Sequence, residues 1–218
     1  MKICVLGAGG FIGKNMLRIN PEWTGITRQQ LDLLNQKDVD IFFETNVFDI
    51  IIHCSSILTS DSCFENLLMF ENVVRHINKF KKIIYFSSGA SKRGNPPTDQ
   101  YGFSKWMIDQ RIQCLPNVYS MCIWGCYGPY ELPTRFSAIC KQKQFVTIKK
   151  DRYFDFIDVD DVVTSVMNHT DEKFTNLVYS EKKKLSEWAI YFGAEFKILE
   201  DGLDESYTHP PVSFDSFI

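Results

Sequence analysis

Tyr101 and Lys105 stand four residues apart in the run Tyr101-Gly102-Phe103-Ser104-Lys105. On a helix that spacing puts both side chains on one face. A free phenol titrates at about 10, too high to trade protons easily at neutral pH, and a neighbouring ammonium lowers that value by stabilising the phenolate. The pair therefore offers proton transfer to or from an oxygen. Ser88 ends the apolar run before this segment and supplies a hydroxyl that can be aimed at the same substrate oxygen. A Tyr–Lys pair at helical spacing is unspecific by itself, so its meaning depends on the elements around it.

The opening stretch, Lys2-Ile3-Cys4-Val5-Leu6-Gly7-Ala8-Gly9-Gly10-Phe11-Ile12-Gly13, runs from apolar residues directly into glycines at positions 7, 10 and 13. It reads as a buried strand, a tight turn and a helix start. The free amides at Phe11, Ile12 and Gly13 are then placed to hold a pyrophosphate. The spacing is G-x-x-G-x-x-G rather than the commoner G-x-G-x-x-G. Downstream, where many dinucleotide folds carry an acidic ribose ligand, the chain has Thr27 and Arg28. An arginine suits a 2′-phosphate, so NADP(H) is favoured over NAD(H). Asp32 is an acceptor candidate for the adenine amine.

The chain has 218 residues, 44% of them hydrophobic, with Lys+Arg 24, Asp+Glu 27 and a net charge of −3. That is enough to bury a full core and excludes a basic nucleic-acid face. Seven cysteines without C-x-x-C spacing argue against a metal site or a disulfide framework, and for a reducing compartment. No apolar run approaches the ~20 residues of a membrane helix. The first strand is expected to be functional rather than a cleaved signal, and the location cytoplasmic.

Strand and helix patterns alternate along the chain. Strands are expected at Trp23–Thr27, Asp49–Cys54, Lys82–Phe86 and Tyr119–Trp124, the last counted as a sixth strand. Helices are expected from Lys14 to Ile19, Lys37 to Thr45, Cys63 to Phe80 and Tyr101 to Ile112. The result is an α/β, Rossmann-like doubly wound parallel sheet, with ligands at the carboxyl ends of its strands, where Gly7, Arg28, Ser55 and Ser88 fall. His53 terminates a strand and is expected to be packed. Residues 1–129 form the dinucleotide-binding domain. Residues 130–218 form a shortened substrate-binding region interleaved with the last strands, through a strand or turn feeding a helix at Ile157–Val166, strands near Phe174–Tyr179 and Phe196–Leu199, and a helix at Leu185–Phe192. The Pro210-Pro211 tail has little pattern.

Taken in order, the Gly7/Gly10/Gly13 turn, Ser87-Ser88, the Tyr101-Gly-x-Ser-Lys105 run and Tyr127-Gly128-Pro129 resemble the extended short-chain dehydrogenase/reductase superfamily, the NAD-dependent epimerase/dehydratase family, in its branch acting on nucleotide sugars. Residues 26–35 resemble the matching stretch of GDP-fucose synthase and dTDP-4-dehydrorhamnose reductase, which reduce a 4-keto-6-deoxyhexose with NADPH. The resemblance implies that Tyr101 gives a proton to the C4 alkoxide, that Lys105 lowers the Tyr101 pKa and holds the nicotinamide ribose, and that Ser88 orients the keto oxygen. It adds Leu33 and Ser55 to the cofactor contacts, and Gly89 and Arg152 to the substrate contacts, Arg152 toward the diphosphate. It also implies a homodimer through the helices at Cys63–Phe80 and Tyr101–Ile112.

The chain departs from that branch at several points. Gly89-Ala90 stand where dehydratases carry an Asp-Glu pair and where fucose synthase has its epimerising cysteine, so neither elimination of water nor coupled epimerisation is expected. Gly125-Cys126 replace a customary asparagine before Tyr127-Gly128-Pro129, and Gly9 replaces one of the 2′-phosphate arginines. The expected function is NADPH-dependent reduction of a nucleotide-linked 4-keto sugar. The alternatives are a nucleotide-sugar 4-epimerase and a dinucleotide-binding regulatory protein without turnover.

Overall fold

Short apolar runs become parallel strands covered on both faces: β1 (Ile3–Leu6), β3 (Ile50–His53), β4 (Lys82–Ser88) and β5 (Val118–Ile123). The computed structural model describes residues 1–59 and 62–209. In it these strands join β2 (Thr24–Ile26) and β9 (Phe174–Leu177) in one sheet of order β2-β1-β3-β4-β5-β9, every adjacent pair parallel.

Helices α1 (Phe11–Ile19), α2 (Gln36–Thr45), α3 (Cys63–Val74), α4 (Gln100–Gln113) and α6 (Val159–Met167) cover the sheet. Alternation along β1 sorts its side chains to opposite faces. Cys4 and Leu6 join a core with Val39, Phe43, Phe70, Ile108 and Ile112, from α2, α3 and α4. Val5 joins Met16 of α1 and Val159, Val162 and Val163 of α6 on the other face. Each large side chain buried this way contributes about 1.5–3 kcal/mol relative to exposure. The two layers hold the carboxyl ends of the strands in fixed register.

Beyond β5 the chain builds a smaller unit. Helices α5 (Phe136–Lys143) and α7 (Leu185–Tyr191) pack with β7 (Phe145–Asp151), which pairs in parallel with β10 (Glu195–Leu203). The core here is aromatic, with Tyr127, Phe156, Trp188 and Phe192 in mutual contact. Two short strands, β6 (Cys126–Tyr127) and β8 (Ile157–Asp158), pair in parallel and tie this unit to the end of β5.

Several sequence expectations shift. Val118–Ile123 is the fifth strand in chain order, not the sixth. The long helix expected from Cys63 stops at Val74 and gives way to a 3₁₀ turn at Ile77–Lys79. That turn brings Phe80 edge-on to Phe43, while His76 reaches Asp40 at 2.8 Å and Lys79 donates to the Phe43 carbonyl at 3.0 Å. After Ser88 the chain forms a 3₁₀ turn at Gly89–Lys92. Residues 210–211 lie outside the described residues. Among the described residues no helix is long and apolar enough to cross a membrane.

Chain order reverses between β1 and β3: from β1 the chain first fills one side of the sheet with β2, then crosses to the other. That reversal opens a crevice at the carboxyl ends of these two strands. Gly7 and Ser55 meet there.

Candidate active site

Gly7 adopts φ +84, and a Cβ on it would lie 2.7 Å from the Ser55 amide nitrogen and hydroxyl oxygen. Only glycine fits that conformation beside β3 without strain. A Cβ on Gly13 would sit 2.3 Å from the Gly7 carbonyl oxygen, so α1 packs directly on the turn. No side chain caps α1, and the amides of Phe11 and Ile12 in its first turn have no intrahelical acceptor. The space beside Gly9 is open: a Cβ there would meet nothing nearer than Thr27 Cγ2, at 3.8 Å. This is a backbone cradle of the kind that holds a diphosphate.

A cleft of about 220 Å³ runs from this cradle past Thr27, Arg28, Asp32, Leu33 and Ser55. The Arg28 side chain is 71% exposed and reaches Asp32 only at 3.7 Å, which leaves the guanidinium available to an anion. Asp32 accepts from the Leu34 amide at 3.1 Å. Of the cofactor residues expected from the sequence, Gly7, Gly10, Arg28, Asp32, Leu33 and Ser55 line this crevice.

A second cleft, of about 400 Å³, shares Gly9, Gly10, Cys54 and Ser56 with the first and continues to Ser88, Tyr101, Lys105 and Arg135. Tyr101 and Lys105 arise from α4, whose N-terminus is capped by Asp99, accepting from the Gly102 amide at 2.7 Å. Ser88 ends β4, and its hydroxyl accepts from the Ala90 amide at 3.2 Å. The Ser88 and Ser56 hydroxyls lie beside the Tyr101 phenol and favour its charged form.

The electrostatics differ from the sequence expectation. Burial raises the Tyr101 phenol above its ordinary value, and the two serine hydroxyls and the Arg135 charge offset this in part. Lys105 does not lower it here. Its Nζ sits 5.7 Å from the Tyr101 ring centre and donates instead to Tyr85 Oη and to the Phe86 carbonyl, each at 2.8 Å. Burial draws the Lys105 ammonium down to about 8, against the pull of the Asp109 carboxylate.

Two expected substrate contacts are not brought to the cleft. A Cβ on Gly89 would meet Trp124 at 2.3 Å and the Tyr207 hydroxyl at 2.8 Å, so this position is covered by aromatic side chains. Arg152 turns toward Asp204 at 3.8 Å and is not among the residues lining either cleft.

Residues 3–174 match the family described as NAD dependent epimerase/dehydratase. The chain belongs to that family. No curated protein sequence matches it. Among solved structures, dTDP-4-dehydrorhamnose reductase from Bacillus anthracis in complex with NADP shares 18% identity over 99% of this chain and 86% of that one, with a TM-score of 0.76. A GDP-L-fucose synthetase from Naegleria fowleri bound to NADP shares 16% identity over 94% and 82%, TM-score 0.77. A GDP-mannoheptose C4 reductase from Campylobacter jejuni with NADP bound shares 18% over 94% and 88%, TM-score 0.73. The epimerase/dehydratase fold is therefore retained across nearly the whole chain despite low identity.

Within this epimerase/dehydratase family member, sequence reasoning missed several residues at the site. Ser56 follows the named Ser55. Arg135 precedes α5, and its guanidinium lies 5.5 Å from the Phe11 ring centre. Tyr207 returns from the far end of the described chain to lie beside Ser88, with Arg93 over its ring at 4.5 Å; burial pushes its phenol up to about 12. A Tyr or Arg in unstructured-looking sequence carries no local signal for such contacts.

Proposed function

We propose that this chain is an NADPH-dependent reductase of a nucleotide-linked 4-keto sugar. The observation that carries the reading is the convergence of Ser88, Tyr101 and Lys105 at the end of a cleft continuous with the glycine cradle. In the reading, the amides of Phe11 and Ile12 and the Gly7/Gly10/Gly13 turn hold the diphosphate. Arg28 meets the 2′-phosphate, Asp32 and Leu33 flank the adenine, and Ser55, Tyr101 and Lys105 complete the contacts toward the nicotinamide ribose. That the three solved proteins above hold NADP supports this choice over NAD.

Reduced nicotinamide, when bound, supplies a hydride. The chain's own part is to place the keto carbon and to protonate its oxygen. Ser88 donates a hydrogen bond that fixes the oxygen beside Tyr101. Because burial keeps the phenol protonated at neutral pH, Tyr101 is an acid in the direction of reduction. The tyrosinate left after transfer is stabilised by the Ser56 hydroxyl and the Arg135 charge. Gly89 and Ala90 provide no side-chain acid or base beside Ser88, which fits reduction rather than elimination of water.

The test is to mix purified protein and NADPH with a panel of nucleotide 4-keto-6-deoxysugars and follow oxidation of the cofactor. Turnover of one member is the expected result, and no oxidation with any member rejects the reading. The apolar residues left exposed on the adjacent helices, Phe64 (72%) on α3 and Met107 (36%) on α4, support a homodimer through this face. Light scattering that gives a monomer at working concentration rejects the dimer alone.

A further inference from the structure

Asp109 is buried on α4, one helical turn after Lys105. Its Oδ2 accepts from Ser87 Oγ at 2.8 Å and Ser91 Oγ at 3.1 Å, and its Oδ1 accepts from Ser120 Oγ at 2.8 Å. Lys92 approaches Oδ2 at 3.5 Å. Ser87 immediately precedes Ser88, Ser91 follows it on the 3₁₀ turn, and Ser120 lies on β5. One carboxylate therefore joins the segment bearing Ser88, the neighbouring strand and the helix bearing Tyr101 and Lys105.

Packing alone does not require a charge here. An apolar side chain would hold a helix to a sheet without the cost of burying a carboxylate. The charge does two things an apolar residue cannot. It gathers three hydroxyl donors, of which Ser87 and Ser91 flank Ser88 and Ser120 lies on β5, and it puts a negative charge one helical turn from Lys105.

We propose that Asp109 is a positioning residue for the reductase site: its carboxylate ties the Ser88 segment to the Tyr101/Lys105 helix. Its charge, one helical turn from Lys105, also favours the ammonium form of that lysine. The proposal rests on the reductase reading for its kinetic consequences, not for its electrostatic ones. The other groups facing Lys105 are Tyr85 on β4, His53 and Cys54 at the end of β3, Cys122 on β5 and Tyr101 on α4. Among these groups and Asp109, Asp109 is the carboxylate that favours the charged lysine.

The experiment compares wild type with Asp109→Asn, which keeps the shape and one acceptor. With isotopically labelled lysines, assigned through Lys105→Arg, the Lys105 titration midpoint is followed by NMR without any substrate. It is expected to fall in Asp109→Asn. With a turned-over keto sugar, kcat is expected to drop about 10- to 100-fold, as misplacement of reacting groups does. The KM for NADPH is expected to stay within about threefold, and the alkaline limb of the kcat profile to move to lower pH. A wild-type Lys105 midpoint in the variant overturns the electrostatic half, whatever the reaction. If Asp109→Asn does not fold, Ser91→Ala tests the tether: a several-fold loss of kcat with an unmoved Lys105 midpoint supports it, and unchanged kcat overturns it. If wild type turns over no sugar, the reductase reading fails, while the NMR midpoint still decides the electrostatic claim.

Discussion

Lys105 Nζ donates to Tyr85 Oη at 2.8 Å across the gap between α4 and β4. The ammonium is thereby anchored to the sheet and not to the Tyr101 phenol. A buried ammonium needs such acceptors: leaving one unmade costs about 1.5–3 kcal/mol when the group is charged. Tyr85 is itself fully enclosed, with His53 and Phe70 edge-on to its ring, so it presents its hydroxyl from a fixed position.

Tyr85→Phe is expected to keep the ring packing and remove the acceptor. Stability should fall by about 1.5–3 kcal/mol in denaturant titration. The Lys105 midpoint should move down, because one partner of the charged form is gone. An unaltered pH profile and an unaltered denaturation midpoint would show that the hydroxyl is idle.

Tyr101→Phe removes the proton donor while leaving the ring in place. Loss of a positioned general acid typically costs about 100- to 10,000-fold in rate, and that range is expected for kcat here. The dissociation constant for NADPH, read by nucleotide fluorescence, should change by less than about threefold. Retention of full turnover would remove Tyr101 from the proposed chemistry.

Arg28→Ala tests the cofactor preference. The Arg28 guanidinium is mostly exposed and holds Asp32 loosely, so stability should be nearly unchanged. A charge-assisted hydrogen bond to a phosphate is worth about 1.5–3 kcal/mol, which predicts roughly 10- to 100-fold weaker NADPH binding with little effect on NADH. Equal weakening of both nucleotides would contradict a 2′-phosphate role.

The glycine turn and the strands of the main sheet were legible because each rests on a local pattern: continuous apolar runs, and glycines at fixed offsets. The stretch from Tyr130 to Asp151 was not, although the elements expected at Ile157–Val166, Phe174–Tyr179, Leu185–Phe192 and Phe196–Leu199 form close to those bounds. Helix α5 ends on Gln144 in a left-handed conformation, with no glycine to mark the stop. Strand β7 buries only Val146 and Ile148 of its apolar residues, and Phe145 stays exposed. At the site, the Tyr101/Lys105 spacing gave the shared helix face, but the partner of Lys105 did not follow from it. Tyr85 lies twenty residues away in sequence, and only the stacking of α4 on β4 brings it near. Arg152 shows the same limit: its side chain turns to Asp204, fifty-two positions on, a contact that the local motif does not announce.

Gly89→Ala is expected to destabilise by about 1–3 kcal/mol, because its Cβ would overlap Trp124 and force the aromatic cover of Ser88 to shift. Activity should fall with it, since Tyr207, part of the same cover, lies beside Ser88. A denaturation midpoint equal to wild type would show that Trp124 yields without cost.

His53 is 1% exposed, packed between Phe70 and Tyr85, and neither ring nitrogen makes a full hydrogen bond; the Met69 backbone offsets burial only weakly. Burial first, and the Lys105 charge second, hold its pKa down at about 4 against the ordinary 6.5. The imidazole is therefore neutral in the folded protein. The sign of the consequence is fixed: below pH 6.5 the unfolded chain takes up a proton that the folded one refuses, so stability is lost as pH falls from 6.5 toward 4. The loss attributable to this residue is about 3 kcal/mol over that window. His53→Leu should flatten the acid limb accordingly, giving a smaller drop in urea midpoint between pH 7 and pH 4.5 than wild type shows, by roughly that free energy. Equal drops in the two proteins would mean that the imidazole takes up its proton without unfolding the sheet around it.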